Sequence, residues 1–119
     1  MTKRVLIADD HRLVREKVRN LLSTCNDIEI CGEAANGVDA VEMAQKLRPD
    51  VVVLDLSMPK MNGFAVATAL LDEQPNVRVI LLSEYKDAIS DEQLRTAGIA
   101  VCLSKSEAWE RLVEEVQQS

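Results

Sequence analysis

Short apolar runs alternate along this chain with segments in which apolar residues recur every three or four positions. The runs begin at Val5, Ile28, Val51, Val77 and Ala100, and a segment with helical periodicity follows each of them. Strands that alternate with helices form parallel sheets, because each right-handed crossover packs a helix on one face of the sheet. The pattern therefore predicts a single α/β domain of five βα units, with helices on both faces and no linker or internal repeat.

The individual elements follow from the same pattern. The predicted strands are Val5–Ala8, Ile28–Cys31, Val51–Leu54, Val77–Leu82 and Ala100–Leu103. Val51–Leu54 is apolar on both faces, which is typical of a central parallel strand. Turn and capping residues predict the helix ends, with Ser106 as the cap of the last helix. The apolar helix faces are predicted to include Leu13, Val14, Val18, Val38, Val41, Ala44, Trp109, Leu112 and Val116.

Composition and charge exclude several functional classes. The chain has 119 residues, is 47% hydrophobic and carries a net charge of -6. Direct DNA binding is not expected, because phosphate contacts need a basic face. No apolar run approaches the roughly 20 residues that span a bilayer. Three cysteines (Cys25, Cys31 and Cys102) lack metal-ligand spacing, so we expect buried thiols and a cytoplasmic location.

Polar residues follow four of the five predicted strands at their carboxyl ends. Asp9 and Asp10 follow the first strand, Asp55 the third, Ser83 the fourth and Lys105 the fifth. These ends meet at one edge of a parallel sheet, which is where open α/β sheets bind ligands. Clustered carboxylates repel each other unless a cation offsets their charge, and oxygen ligands favour Mg²⁺. The sequence therefore predicts a Mg²⁺ site suited to phosphoryl transfer, with Asp55 able to become an aspartyl phosphate.

Each of these residues also has an ordinary structural interpretation. An Asp-Asp pair is usually a solvated turn, a serine is usually a cap, and a lysine after a strand is usually on the surface. His11, beside the acidic pair, is expected to begin the first helix and not to act as a base. The joint pattern at the strand ends, and no single residue, favours the chemical interpretation.

The sequence resembles the receiver domain of bacterial response regulators over essentially its whole length. The matching segments are Val5–His11, Val53–Gly63, Leu82-Ser83 and Leu103–Ser106. The resemblance implies a doubly wound, flavodoxin-like (βα)5 fold with strand order 2-1-3-4-5. It also implies that Asp55 is phosphorylated by a sensor histidine kinase, and that Ser83 and Lys105 contact the phosphoryl group. Mg²⁺ would be bound by Asp9, Asp10, Asp55 and the backbone carbonyl of Ser57.

Three features resemble the NarL/FixJ type: His11 after the acidic pair, the Leu-Ser-Met-Pro stretch that begins at Leu56, and the Lys-Ser pair at Lys105. Members of that type commonly carry a C-terminal helix-turn-helix DNA-binding domain. These 119 residues contain no such domain, so we expect either an isolated receiver or a single-domain regulator. Its expected output is homodimerisation on phosphorylation or control of an attached transcriptional effector. The chain is expected to be a phosphoacceptor switch that promotes its own phosphorylation and dephosphorylation, and not an enzyme.

Two positions depart from the family pattern. Cys102 occupies the position, three residues before Lys105, where the family usually has a Tyr or Phe that takes part in switching, and Tyr85 lies elsewhere. The coupling between phosphorylation and the change in conformation is therefore open to another route. Ser106 replaces a common cis proline, and we expect a trans bond because a cis bond without proline costs roughly 2.5–4 kcal/mol.

Two other functions stay open. An aspartyl-phosphate phosphatase typically needs an acid two positions after its nucleophile, where this chain has Ser57. A pseudo-receiver would keep the fold as an interaction module without the chemistry, which the intact acidic set disfavours.

Overall fold

A computed structural model describes residues 2–56, 58, 62–84 and 86–118. The strands are β1 (Lys3–Ala8), β2 (Ile28–Ala34), β3 (Val51–Asp55), β4 (Arg78–Ser83) and β5 (Val101–Ser104). The helices are α1 (Arg12–Leu22), α2 (Gly37–Leu47), α3 (Gly63–Glu73), α4 (Asp91–Ala97) and α5 (Ala108–Gln117), and a 3-10 turn, Lys86–Ala88, lies between β4 and α4. No helix in these ranges is long and apolar enough to cross a membrane.

The five strands form one parallel sheet in the order β2-β1-β3-β4-β5. This confirms the predicted doubly wound fold and its strand order. Ala8 is paired with Leu54, and Asp55 with Leu82, so Asp9 and Asp55 lie at the same edge of neighbouring strands. Ser83 is paired with Ser104, which places Lys105 at that edge as well.

The core has two layers because alternate residues of each strand point to opposite faces. In β1, Leu6 and Ala8 belong to the cluster that packs against α2, α3 and α4. Val5 and Ile7 belong to the cluster that packs against α1 and α5. Each fully buried aliphatic side chain stabilises the fold by about 1.5–3 kcal/mol relative to an exposed one. The sheet is therefore a rigid base for the side chains at its edge.

Among the described residues, side-chain caps begin α2, α3 and α4, and the spacing from Ser90 to Gln93 predicts the one at α4. Asn36 and Asn62 accept hydrogen bonds from the backbone N–H groups of Asp39 and Ala65. At α4, Ser90 and Gln93 form a complete capping box. Such a cap typically stabilises a helix by about 1 kcal/mol.

The predicted cap of the last helix is wrong. Helix α5 begins one residue later than Ser106 would allow, and Glu107 occupies the N-cap position. The hydroxyl of Ser104 accepts a hydrogen bond from the Glu107 N–H at 3.2 Å, and Glu107 Oε1 accepts one from the Ser104 N–H at 2.9 Å. This reciprocal pair joins the end of β5 to the start of α5. The bond between Lys105 and Ser106 is trans.

Four further expectations need correction. Strand β2 continues to Ala34, beyond the predicted end at Cys31, because it pairs with β1 on both sides of a register shift at Cys31. Leu13 and Val38 are 77% and 41% exposed, since the buried faces of their helices are set by other residues. Trp109 is only partly buried, and the ammonium group of Lys17 lies 4.2 Å from the centre of its ring. Of the cysteines, only Cys102 is fully buried.

Gly63, the first residue of α3, packs directly against the end of β3. Its N–H donates to the carbonyl of Leu56 at 2.7 Å. A Cβ atom at this position would lie 2.8 Å from Leu56 Cα and 2.9 Å from the Asp55 carbonyl oxygen. Backbone atoms cannot move aside as a flexible side chain can, so glycine is needed here to hold α3 close to Asp55.

We predict that Gly63→Ala lowers the free energy of unfolding by about 1–3 kcal/mol, the usual cost of overpacking. Gly32→Ala is the matched control, because a Cβ there would meet only the side-chain ends of Leu47 and Met43 at 2.9 Å and of Leu6 at 3.3 Å. Urea denaturation of both variants measures the difference. Equal losses would contradict the backbone contact as the cause.

Candidate functional site

Three charged side chains from different strands converge at the carboxyl edge of the sheet. The ammonium group of Lys105 lies 3.4 Å from Asp55 Oδ1 and 3.5 Å from Asp9 Oδ2. Asp9 and Asp55 are only 2% and 4% exposed. Residues nearly a hundred positions apart in sequence are thus brought into one cluster by the parallel sheet.

The acidic cluster has the composition of a site for a divalent cation. Ligand atoms of Asp9, Asp10, His11 and Asp55 all lie within 4.8 Å of one another. Asp9 Oδ2 is buried and has no hydrogen-bond partner among the described residues, since its contact with Lys105 at 3.5 Å is an ion pair at the limit of hydrogen bonding. A buried carboxylate oxygen left in this way is costly unless a cation binds it. The carboxylates therefore fit a hard dication such as Mg²⁺.

Burial and charge perturb the titration of the central pair. Desolvation, with the nearby Asp9 carboxylate as the second cause, raises the pKa of Asp55 from 3.8 to about 6, although Lys105 opposes the shift. For Lys105, desolvation is the largest effect and lowers the pKa, but the carboxylates of Asp9 and Asp55 together outweigh it and raise the pKa overall. Lys105 therefore stays cationic, and the cluster keeps excess negative charge when Asp55 ionises.

The remaining predicted site residues are less well defined by distance. Ser83 is buried at the end of β4, one position beyond the residue paired with Asp55, and its carbonyl accepts a hydrogen bond from the Lys105 N–H at 3.1 Å. Asp10 is exposed as a residue, although its side chain retains only 29% of its accessible surface. Ser57, predicted to supply a backbone carbonyl, lies outside the described residues.

Comparison with known proteins identifies the fold family. The family model for the response regulator receiver domain matches residues 5–117 of this chain. The chain belongs to this family.

Relatives of this receiver domain include whole regulators and isolated domains. It is 31% identical over 115 residues to the response regulator GacA of Pseudomonas aeruginosa, covering 97% of this chain and 54% of GacA. It therefore spans about half the length of that curated relative. The receiver domain of a putative response regulator NarL from Mycobacterium tuberculosis is 33% identical, with a TM-score of 0.88 and coverage of 98% and 94%. The response regulator domain of Thermotoga maritima CheB is 26% identical, with a TM-score of 0.91 and coverage of 99% and 96%.

The sequence pattern missed a set of charged residues that contacts the backbone beside the acidic cluster. Arg15, in α1, donates a hydrogen bond to the backbone carbonyl of Asp9 at 2.7 Å. Its guanidinium also lies 3.4 Å from Glu33, at the end of β2, and Arg19 forms an ion pair with the same carboxylate. Arg15 thus connects the backbone of Asp9 to α1 and, through Glu33, to the end of β2. Spacing of four between Arg15 and Arg19 is the only sequence signal, and it is common on solvated helix faces.

The raised pKa of Asp55 makes a prediction about the metal-free protein. Folding raises this pKa, so the folded state binds more protons than the unfolded state between about pH 4 and 6, and stability falls as pH rises through that range. Above it, the ionised carboxylate costs up to about 3 kcal/mol. Asp55→Asn should therefore increase the free energy of unfolding at pH 7.5 in EDTA, and added Mg²⁺ should stabilise only the parent protein.

Chemical denaturation from pH 4 to 8 measures this effect, and Asp72→Asn is the control because Asp72 is exposed near the end of α3. A surface change of this kind typically shifts stability by less than about 0.5 kcal/mol. A destabilised Asp55→Asn protein at pH 7.5 would contradict the assigned charge repulsion.

Proposed function

We propose that this receiver domain accepts a phosphoryl group on Asp55 from the phosphohistidine of a sensor histidine kinase. A carboxylate oxygen of Asp55 forms the new bond to phosphorus as the phosphorus–nitrogen bond breaks, and the kinase imidazole leaves. The observation that supports this most directly is the buried Asp55 carboxylate, 3.4 Å from Lys105 and within the cluster of Asp9 and Asp10.

Each neighbour has a proposed role in that reaction. Asp9, Asp10 and Asp55, with the carbonyl of Ser57, would hold Mg²⁺, which offsets negative charge and binds phosphoryl oxygens when present. Lys105 supplies a second positive charge beside the same oxygens. The Ser83 hydroxyl is a hydrogen-bond donor at the adjacent strand end. The domain thus catalyses its own modification and does not turn over an external substrate.

The output is proposed from the size of the relatives. Residues 1–119 form the receiver unit, and the chain spans about half of GacA. We propose that the whole regulator acts in the cytoplasm, where the phosphorylated receiver forms a homodimer or controls an attached transcriptional effector. The net charge of -6 makes the receiver itself a poor DNA ligand.

Phosphorylation is tested by incubating the purified protein with acetyl phosphate and Mg²⁺ and measuring intact mass. We expect the mass of one phosphoryl group to be added to the parent protein and to Asp72→Asn, but not to Asp55→Asn. EDTA should suppress the addition, and Asp9→Asn should slow it because a metal ligand is lost.

Incorporation that survives in Asp55→Asn would overturn the assigned acceptor. Failure of the parent protein to bind Mg²⁺ or to become phosphorylated would favour the pseudo-receiver. Sustained phosphate release from phosphomonoesters would instead favour a phosphatase, which would have to work without an acidic group at the Ser57 position.

We also propose a route from the site to α5 that needs no aromatic residue at position 102. The Lys86 ammonium, in the 3-10 turn after β4, lies 2.6 Å from Glu107 Oε1 at the start of α5. The same oxygen accepts the N–H of Ser104, which immediately precedes Lys105. The hydrogen bond from Lys86, followed by that from Ser104, lowers the pKa of Glu107, so this carboxylate is ionised at neutral pH.

We infer that Ser83 and Lys105 move toward a phosphoryl group on Asp55, and that this contact resists the movement because it fixes the segments that follow both residues. Glu107→Gln should weaken the contact and increase the rate of phosphorylation by acetyl phosphate by about two- to fivefold. Glu110→Gln, which removes the same charge from an exposed position on α5, is the matched control. A Glu107→Gln rate equal to that of Glu110→Gln would exclude the contact from the switch.

A further inference from the structure

His11 lies where it can extend the acidic cluster with a nitrogen ligand. It occupies the N-cap position of α1 without making a side-chain cap, and its side chain is 66% exposed. Its Nδ1 atom lies 3.0 Å from Asp10 Oδ1 and 3.3 Å from Asp9 Oδ1. The imidazole therefore closes the solvent side of a cluster whose inner side is formed by Asp55.

Both are ion-pair contacts of the imidazole, and the one to Asp9 is also a hydrogen bond. Their lengths also agree with the edges of a metal coordination shell. Metal–ligand bonds of about 2.1 Å place neighbouring ligand atoms about 3.0 Å apart in an octahedron and about 3.4 Å apart in a tetrahedron. A dication could thus bind His11, Asp9 and Asp10 together with little movement of the protein.

A second observation shows that this set is prepared for a cation. The backbone N–H of His11 donates to Asp9 Oδ1 at 2.8 Å, which fixes the orientation of that carboxylate. The other oxygen, Asp9 Oδ2, is buried and has no hydrogen-bond partner in the described part of the chain. One oxygen of Asp9 is therefore held in place by the His11 backbone, while the other has only the ion-pair contact with Lys105 at 3.5 Å.

We propose that this site also binds transition-metal dications such as Ni²⁺, Zn²⁺ and Cu²⁺, with His11 Nδ1 as a direct ligand beside Asp9 and Asp10. Imidazole is a good ligand for these ions, whereas Mg²⁺ takes oxygen ligands and retains water. The inference rests on the proposed metal site and adds a rule of selectivity to it. His11 favours transition metals over Mg²⁺ at the position where Mg²⁺ supports phosphorylation.

The first experiment compares metal affinities of the untagged parent protein and His11→Gln by isothermal titration calorimetry. We expect His11→Gln to weaken Ni²⁺ binding by at least about tenfold, as loss of a ligand should cost no less than loss of its supporting contacts. Mg²⁺ affinity should change by less than about twofold, because Mg²⁺ takes oxygen ligands. Arg12→Gln is the control, since it alters an exposed neighbour on α1 that has its own partner in Glu16.

The second experiment detects the nitrogen ligand itself. His11 is the only histidine in the sequence, so imidazole nitrogen coupling in the pulsed EPR spectrum of the Cu²⁺ complex can come from no other side chain. We expect this coupling in the parent protein and its loss in His11→Gln. Equal Ni²⁺ affinities, or a Cu²⁺ spectrum without imidazole nitrogen, would overturn the inference.

The two proposals fail separately. If the parent protein binds Mg²⁺ and is phosphorylated, but His11→Gln does not change the Ni²⁺ affinity, only the role of His11 is rejected. A parent protein that binds neither Mg²⁺ nor Ni²⁺ would reject the metal site as a whole.

Discussion

The carboxylates of Asp9 and Asp55 share a buried edge of the sheet with the ammonium group of Lys105, and the rest of the site depends on this arrangement. Two desolvated carboxylates repel each other, and Lys105, at 3.4 and 3.5 Å, offsets only part of their charge. The raised pKa of Asp55 expresses the cost that remains. A site of this kind gains from any ligand that adds positive charge, so the cluster is compatible with a dication.

The fold tolerates the electrostatic cost of this cluster because the hydrophobic layers that stabilise the protein lie on the faces of the sheet, away from the charged edge. Both faces of the sheet are packed with fully buried aliphatic residues, and the charged groups are confined to one edge. Gly63 brings α3 against the end of β3, and Arg15 ties α1 to the carbonyl of Asp9. Stability and chemistry are thus separated in space, so that strain at the edge is offset by the core.

On the opposite flank, the contacts are polar and partly exposed. Lys86, Glu107 and Ser104 connect the segments after β4 and β5 by hydrogen bonds and an ion pair, where the family usually has an aromatic side chain. Contacts of this strength are easily exchanged for others, which is compatible with the proposed change of this region on phosphorylation of Asp55. Cys102 itself is small and buried.

The sequence alone determined the fold class and the acidic set, because both depend on patterns that are local to each strand. Alternating apolar runs specify βα units, and the residue after each strand is placed at the sheet edge by topology. Asp9, Asp10, Asp55 and Lys105 could therefore be named in advance and were found together, while Ser83 could be placed at the same edge by its register.

Only the tertiary structure decided the contacts between side chains that are distant in sequence or that compete for the same partner. It placed Glu107 instead of Ser106 at the N-cap position of α5, where Glu107 accepts hydrogen bonds from Lys86 and Ser104. It turned Leu13 and Val38 outward, joined Arg15 to Asp9, and set the imidazole of His11 beside two carboxylates. These outcomes depend on how helices rotate and pack on the sheet, and no periodicity along a single element contains that information.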